Sequence, residues 1–110
     1  MNQGDIYSVD LGAPPGHEQR GHRPVMIISL DDFNKINIPF IVPITSHGQS
    51  FIQKGFAVPL EGCSKTTGLV LCNQIRAVDL NARRAKFVEM APPEVIEKVL
   101  QKLITFMVKP

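Results

Sequence analysis

Tryptophan is absent from this chain of 110 residues, tyrosine occurs once, and there are only two cysteines. Cys63 and Cys72 lack Cys-x-x-Cys or Cys/His spacing, which excludes the common zinc motifs, and a domain of this length does not depend on a disulfide. We therefore expect free thiols in a reducing, cytoplasmic setting. No apolar run approaches the roughly 20 residues of a membrane span, and no basic-then-apolar leader follows Met1. The sequence predicts neither membrane insertion nor export.

The net charge is also small, because the chain has 12 Lys and Arg and 10 Asp and Glu, which gives +2. Residues 1–52 sum to −2, residues 53–86 to +4 and residues 87–110 to zero. The basic middle third fits either an anion-binding surface or a solvated face with scattered cations. The 44% hydrophobic and 20% charged fractions are those of an ordinary folded chain, and we expect one domain over residues 1–110.

Short, β-branched apolar stretches bounded by Gly, Pro, Asn or Asp predict a small, mostly antiparallel sheet. Two of the stretches, Val25–Ile28 and Leu69–Cys72, are unbroken apolar runs, which predicts central strands covered on both faces. The seven predicted strands are 6–11, 24–30, 39–45, 55–60, 68–73, 75–78 and 85–90.

Two segments have helical features. Asp31 and Asp32 are N-cap candidates for a turn or single helical turn over residues 31–36. Pro93 and Glu94 are typical of a helix start, and apolar residues then recur at 3-and-4 spacing as far as Met107. The sequence therefore predicts that one amphipathic helix ends the chain and packs across the sheet.

Five blocks of sequence, in order, carry a family resemblance. They are Gly4–Tyr7, Gly16–Val25 with its Arg-Pro step, Pro43–Ser46, Gly55–Val58 and Gly68–Arg76. Together they resemble the MazF/PemK family of bacterial toxins. The resemblance implies a mainly β, α+β fold: a small antiparallel, β-barrel-like sheet of the SH3-like, CcdB/Kid type with a C-terminal amphipathic helix.

The resemblance also implies an activity and partners. The expected protein is the homodimeric toxin of a toxin–antitoxin pair, neutralised by the C-terminal tail of a MazE/PemI-like antitoxin and meeting DNA only through the antitoxin complex. The expected activity is ribosome-independent, sequence-selective cleavage of single-stranded mRNA, which inhibits translation and growth. The ribose 2′-OH attacks its own phosphate and leaves a 2′,3′-cyclic phosphate and a 5′-OH. Neither a metal nor another cofactor is expected.

This reaction needs a cation at the phosphate and groups that move protons. Arg23 matches the phosphate, because its guanidinium stays charged and binds two oxygens at once. By the resemblance, Thr45 and His17 join Arg23 as catalytic residues. The residues alone leave an alternative open, in which Arg23 pairs with Asp5 or Glu18 on the surface, Thr45 closes a turn, and His17 is a solvated loop residue.

The resemblance further points to a set of RNA contacts, in which Phe56 is the one expected to stack on a base. The remaining aromatic residues are predicted to lie in the core: Tyr7, Phe33, Phe40, Phe51, Phe87 and Phe106. A basic stripe for the RNA backbone, or equally a solvated edge, comprises Arg76, Arg83, Arg84 and Lys86. The predicted RNA-binding residues are Glu18, Gln19, Arg20, Ser46, Phe56, Thr67, Asn73, Gln74 and Arg76.

One departure from the family pattern matters for the chemistry. Kid-type members carry Arg-x-Asp as acid and base where this chain has Leu71-Cys72-Asn73. Neither Leu71 nor Asn73 exchanges protons, so the reaction must rest on Arg23 and Thr45, with assistance from His17. The alternative is a protein without this chemistry, such as the gyrase poison CcdB, which shares the fold. CcdB-like proteins use a Trp-containing tail that this chain lacks.

Overall fold

The computed structural model describes residues 1–12, 21–46 and 54–109, and most of the elements in these ranges are strands. All seven predicted strands are confirmed, with shifts at their ends. The elements are β1 (Asp5–Asp10), β2 (His22–Ile27), α1 (Asp31–Ile36), β3 (Phe40–Thr45), β4 (Ala57–Pro59), β5 (Leu69–Leu71), β6 (Arg76–Ala77), β7 (Lys86–Met90) and α2 (Pro93–Met107).

The strands form one antiparallel sheet in the order β4-β5-β3-β2-β1-β7, and β6 pairs with β3 beyond β5. Residues 25–27 and 69–71 are buried, which confirms the prediction that these two runs are covered on both faces. Strand β3 pairs with β5 through Ile44 and Thr45 and with β6 through Phe40 and Ile41. A turn after β5 separates the two pairings.

Helix α2 covers one face of the sheet, as the apolar spacing predicts. Its first residue is a proline, which suits a position where a backbone N–H would have no helical partner. Val95, Val99 and Leu103 are buried and join a core that includes Ile6 and Met26. This cluster is the main apolar contact between helix and sheet.

The opposite face of the sheet has its own core. Val25, Ile27 and Ile41 are fully buried there beneath Val78 and Leu80, which belong to the connection between β6 and β7. A smaller cluster, comprising Ala57, Leu69 and Leu71, lies on β4 and β5. The candidate residues Arg23 and Thr45 lie on this face, away from α2.

Two expectations about side chains are wrong. Helix α1 is capped by Leu30 without a side-chain hydrogen bond, so the two aspartates lie inside its first turn and favour it through the helix dipole instead. Phe40, Phe87 and Phe106 are 41%, 56% and 45% exposed rather than core residues. Phe40 lies on β3 and stacks on Phe33 of α1, Phe87 lies on the edge strand β7, and Phe106 lies in the last turn of α2. Phe51 lies outside the described residues.

Both cysteines are free, Cys63 partly exposed and Cys72 buried. In the described part of the chain, no helix is long and apolar enough to cross a membrane.

Candidate active site

Arg23 and Thr45 occupy neighbouring strand ends. The register of β2 with β3 pairs Val25 with Pro43 at the last rung of the ladder. Continuing that antiparallel register by two residues places Arg23 opposite Thr45, and the two-residue period puts both side chains on the same side of the sheet as Val25. The two residues that are 22 positions apart in the sequence thus converge where the strands open into their loops.

Arg23 is exposed at this position. Within the described ranges its guanidinium makes neither a hydrogen bond nor an ion pair. The sequence-based alternative of a pair with Asp5 fails, because Asp5 is buried and its carboxylate accepts a hydrogen bond from the Asn2 N–H at 2.9 Å. The other suggested partner, Glu18, lies outside the described residues. The Arg23 side chain is therefore available to an anion on this face.

Thr45 is half-buried and held tightly by β5. Its register partner is Leu69, and Gly68 passes so close that a Cβ on this glycine would lie 2.3 Å from the Thr45 carbonyl oxygen. The φ angle of Gly68 is +131°, which a residue with a side chain rarely adopts. Both facts require glycine at position 68 and give the Thr45 backbone a closely defined position.

An apolar patch adjoins Thr45 on the same face. Leu69, Leu71 and Ala57 are buried together, and Phe56 packs partly buried against them. The Cys72 N–H donates to the Phe56 carbonyl at 3.1 Å, which ties Phe56 to the end of β5. Phe56 combines a fixed backbone with partial exposure, and its predicted stacking on a base stays a prediction.

Other predicted RNA contacts are distributed along β5 and β6. Ser46 and Thr67 are exposed near Thr45, on the segments that leave β3 and enter β5. Asn73 and Gln74 are exposed in the turn after β5, and Arg76 on β6 pairs with Ile41. Ile41 is four residues from Thr45, which is roughly 13 Å along a strand. These residues therefore mark out an extended surface rather than one pocket.

Four predicted residues, His17, Glu18, Gln19 and Arg20, lie outside the described residues, as does His47. The chain leaves the described part at Gly12, just after β1, and re-enters it at Gly21, just before β2. Asp10 and His22 pair in the register of β1 with β2, two and one residues from those points. Gly12 and Gly21, the described residues that flank the segment with His17, therefore lie at the same end of β1 and β2 as Arg23.

The basic stripe is only partly close to this site. Arg76, Arg83, Arg84 and Lys86 are all exposed. Arg83 donates to the Asp10 carbonyl at 3.0 Å, near the same end of β1 as Arg23. As for metal ligands, no group of three or more His, Cys, Asp or Glu side chains comes together among the residues that the structure describes.

The connection from β4 to β5 is anchored by a residue that the sequence analysis missed. The Glu89 carboxylate on β7 accepts hydrogen bonds from the backbone N–H groups of Ser64 and Lys65 at 3.1 and 3.0 Å. Desolvation acts to raise the pKa of this carboxyl, but hydrogen bonds from Thr66, Lys65 and Ser64 outweigh it and hold the pKa below its ordinary value. No sequence motif signals the contact, because it joins residues about 25 positions apart.

Comparison with known proteins decides the family. A family model described as the PemK-like, MazF-like toxin of type II toxin–antitoxin systems matches residues 2–107. The chain belongs to this toxin family.

Relatives and solved structures agree with that assignment. The endoribonuclease PemK of Escherichia coli is 41% identical over 109 residues, which cover 97% of this chain and 82% of the relative. The endoribonuclease toxin ChpB of Escherichia coli strain K12 is 40% identical and covers 94% of this chain and 90% of its own. A MazE–MazF crystal structure from Deinococcus radiodurans has a TM-score of 0.84 at 27% identity and covers 100% of this chain and 97% of that one.

Membership in the PemK/MazF-like toxin family confirms the predicted fold, a mainly antiparallel sheet with a C-terminal helix. The family assignment supports the toxin reading and lends nothing to the gyrase-binding alternative. Leu71, at the position where Kid-type members were expected to carry an arginine, is 6% exposed within the apolar patch. The chain thus places a buried hydrocarbon at this position.

Proposed function

We propose that this PemK/MazF-like toxin is an endoribonuclease that cuts single-stranded RNA at the face shared by Arg23 and Thr45. The observation that carries the proposal is the convergence of these two residues, on one side of the sheet, at the ends of β2 and β3. Relatives named as endoribonucleases at about 40% identity support the reaction class.

Arg23 stabilises the phosphate during cleavage. Attack by the 2′-oxygen gives a crowded pentacoordinate phosphorus whose extra negative charge develops on the non-bridging oxygens. A guanidinium offers two parallel N–H donors to such oxygens and remains protonated throughout. Its exposure on the described face allows the RNA backbone to reach it.

Thr45 donates its hydroxyl to the same phosphate, and His17 assists with a proton. A threonine hydroxyl donates one hydrogen bond, which suits an oxygen that gains charge in the transition state. Histidine is the side chain suited to proton transfer at neutral pH, so the proposed role of His17 is to take the 2′-OH proton or to return one to the leaving 5′-oxygen. No step uses Leu71 or Asn73, and none requires a metal ion.

The RNA would extend from this point across Phe56 and Thr67 toward Asn73, Gln74 and Arg76, and Ser46 would contact it next to Thr45. In this arrangement the base edges hydrogen-bond to the amide and hydroxyl side chains of the protein, and the RNA phosphates contact Arg76 and Arg20. Two such chains form a homodimer and join their basic surfaces. A cognate antitoxin is the natural protein partner, since the Deinococcus radiodurans neighbour is a MazE–MazF complex.

The test is incubation of the purified full chain with long single-stranded RNA in EDTA, followed by mapping of fragment ends. Fragments with 2′,3′-cyclic phosphate and 5′-OH ends are expected at a limited set of sequences. A matched oligonucleotide with deoxyribose at the cut nucleotide should stay intact, because it lacks the attacking hydroxyl. RNA left whole at micromolar protein would refute the proposal, and cleavage only after addition of a divalent metal would refute its metal-independent chemistry.

A further inference from the structure

We propose that Glu89 is a positioning residue for the RNA contact at Thr67, acting through the connection of residues 60–68 that joins β4 to β5. The inference rests on the proposed ribonuclease function and adds to it a residue that lies on a different strand from the whole predicted site. It follows from three contacts that leave this connection little freedom.

The first contact is the carboxylate of Glu89, whose two oxygens are both used. Oε1 accepts from the Ser64 backbone N–H at 3.1 Å and from the Ser64 hydroxyl at 3.3 Å. Oε2 accepts from the Lys65 backbone N–H at 3.0 Å. Hydrogen bonds to an ionised acceptor are stronger than neutral ones, so consecutive amides of the connection are fixed to β7.

The second contact is apolar. Cys63 and Leu60 pack partly buried against the core beneath α2. Gly62, with φ at +86°, lies beside Pro92, and a Cβ there would be 3.3 Å from the proline Cγ. The first half of the connection is therefore seated against the segment between β7 and α2, and Glu89 holds the half that follows.

The third contact joins the connection to the catalytic face. The Leu60 N–H donates to the Gly68 carbonyl at 3.0 Å, and Gly68 lies against the Thr45 carbonyl without room for a methyl group. Thr66 is buried, whereas Thr67 between these two fixed residues is exposed. Thr67 is thus exposed to solvent on a backbone that is fixed on both sides. Hydrogen bonds to Glu89 fix the residues before it, and the close contact of Gly68 with Thr45 fixes the residue after it.

Loss of the Glu89 carboxylate should remove only the hydrogen bonds to Ser64 and Lys65 and leave the contact between Gly68 and Thr45 in place. The pairing of β4 with β5 and the approach of Gly68 to Thr45 do not involve Glu89, so the strands keep their register. Residues 64–67 gain freedom, and Thr67 must then be ordered each time RNA binds. The cost appears in RNA binding, whereas the turnover of bound RNA at Arg23 and Thr45 is retained.

The experiment compares Glu89→Gln with Glu61→Gln, which removes the same charge from an exposed position in the same connection. Amide hydrogen exchange is followed by NMR, and KM and kcat are measured on an RNA that the wild type cuts. In Glu89→Gln, exchange at residues 64–67 should accelerate and KM should rise about tenfold, the scale of one lost charged hydrogen bond, with kcat within about twofold. Glu61→Gln should behave as wild type in both measurements.

A double-mutant cycle with Thr67→Ala separates positioning from stability. If Glu89 acts through Thr67, adding Glu89→Gln to Thr67→Ala should raise KM little further. Purely structural damage would instead lower the active fraction, and with it kcat, at unchanged KM. Unchanged exchange, unchanged KM or full additivity would each overturn the inference while wild-type cleavage stands. Failure of the wild type itself to cut RNA would overturn the proposed function, whatever exchange at residues 64–67 shows.

Discussion

Gly68 brings β5 against Thr45 because it has no side chain. In Gly68→Ala the new methyl would meet the Thr45 carbonyl oxygen at 2.3 Å, and φ of +131° would be strained as well. We expect a loss of about 3 kcal/mol in the free energy of unfolding, since backbone on both sides must move. Urea denaturation measures it.

The matched control is Gly55→Ala. Gly55 also has a positive φ, +83°, but no atom of the described residues lies within 4 Å of an added Cβ. Its cost should therefore be the conformational strain alone, about 1–2 kcal/mol. Equal losses for the two variants would contradict the close contact at Thr45.

Individual residues differ in how far the sequence predicts them. Arg23 is recognisable as a phosphate ligand from its residue type, whereas Thr45 is a catalytic candidate only through the family resemblance, and the continued register of β2 with β3 places the two opposite each other. Residue type alone also shows that Leu71 cannot take part in proton transfer. The role of Glu89 cannot be predicted from the sequence, because only the folded sheet brings β7 close to the β4–β5 connection, where its partners Ser64 and Lys65 lie.

At the scale of elements, α2 is stabilised by one stripe of its surface. Leu103 is 7% exposed in the core, and its neighbour Ile104 is 56% exposed. Leu103→Ala should destabilise the fold by about 2–5 kcal/mol through lost burial and a cavity, and Ile104→Ala by less than about 1 kcal/mol. Thermal and chemical denaturation of the two variants give the comparison, and similar losses would show that the helix packs differently.

The anchoring of the β4–β5 connection by Glu89 should make the free energy of unfolding depend on pH. The pKa of Glu89 is lowered in the fold from its ordinary value of 4.5, so the folded state binds this proton less tightly than the unfolded state. Its stabilisation is present above about pH 4.5 and is lost as pH falls through the lower, folded value. The stability difference between wild type and Glu89→Gln should thus shrink from pH 6 toward about pH 3. A constant difference would contradict an ionised anchor.

The sequence predicts which strands and helices form better than it predicts where each of them ends. Alternation and β-branching predict all seven strands, but β5 ends at Leu71 because a turn begins at Cys72, where the Gln74 N–H bonds back to the Leu71 carbonyl at 3.2 Å. The aspartates before α1 resemble caps, yet Leu30 takes that position. Such limits are decided by tertiary hydrogen bonds and packing, which residue preferences do not contain.

For the whole molecule, a net charge of +2 means that the proposed RNA recognition depends on the placement of a few cations. Arg23 stands at the strand ends beside Thr45, whereas Arg84 stands exposed in the connection before β7. Both are arginines, and either alanine substitution removes one positive charge. If only the overall field mattered, the two variants would lose activity equally.

The most direct test of the account is the rate of RNA cleavage in EDTA by wild type, Arg23→Ala and Arg84→Ala under saturating RNA. Arg23→Ala should lose about 100-fold or more in kcat, because it removes a donor to the charge that develops on the phosphate. Arg84→Ala should stay within about fivefold, as expected of a backbone contact at most. Equal rates for Arg23→Ala and wild type would contradict the central claim that the face at the ends of β2 and β3 cuts RNA.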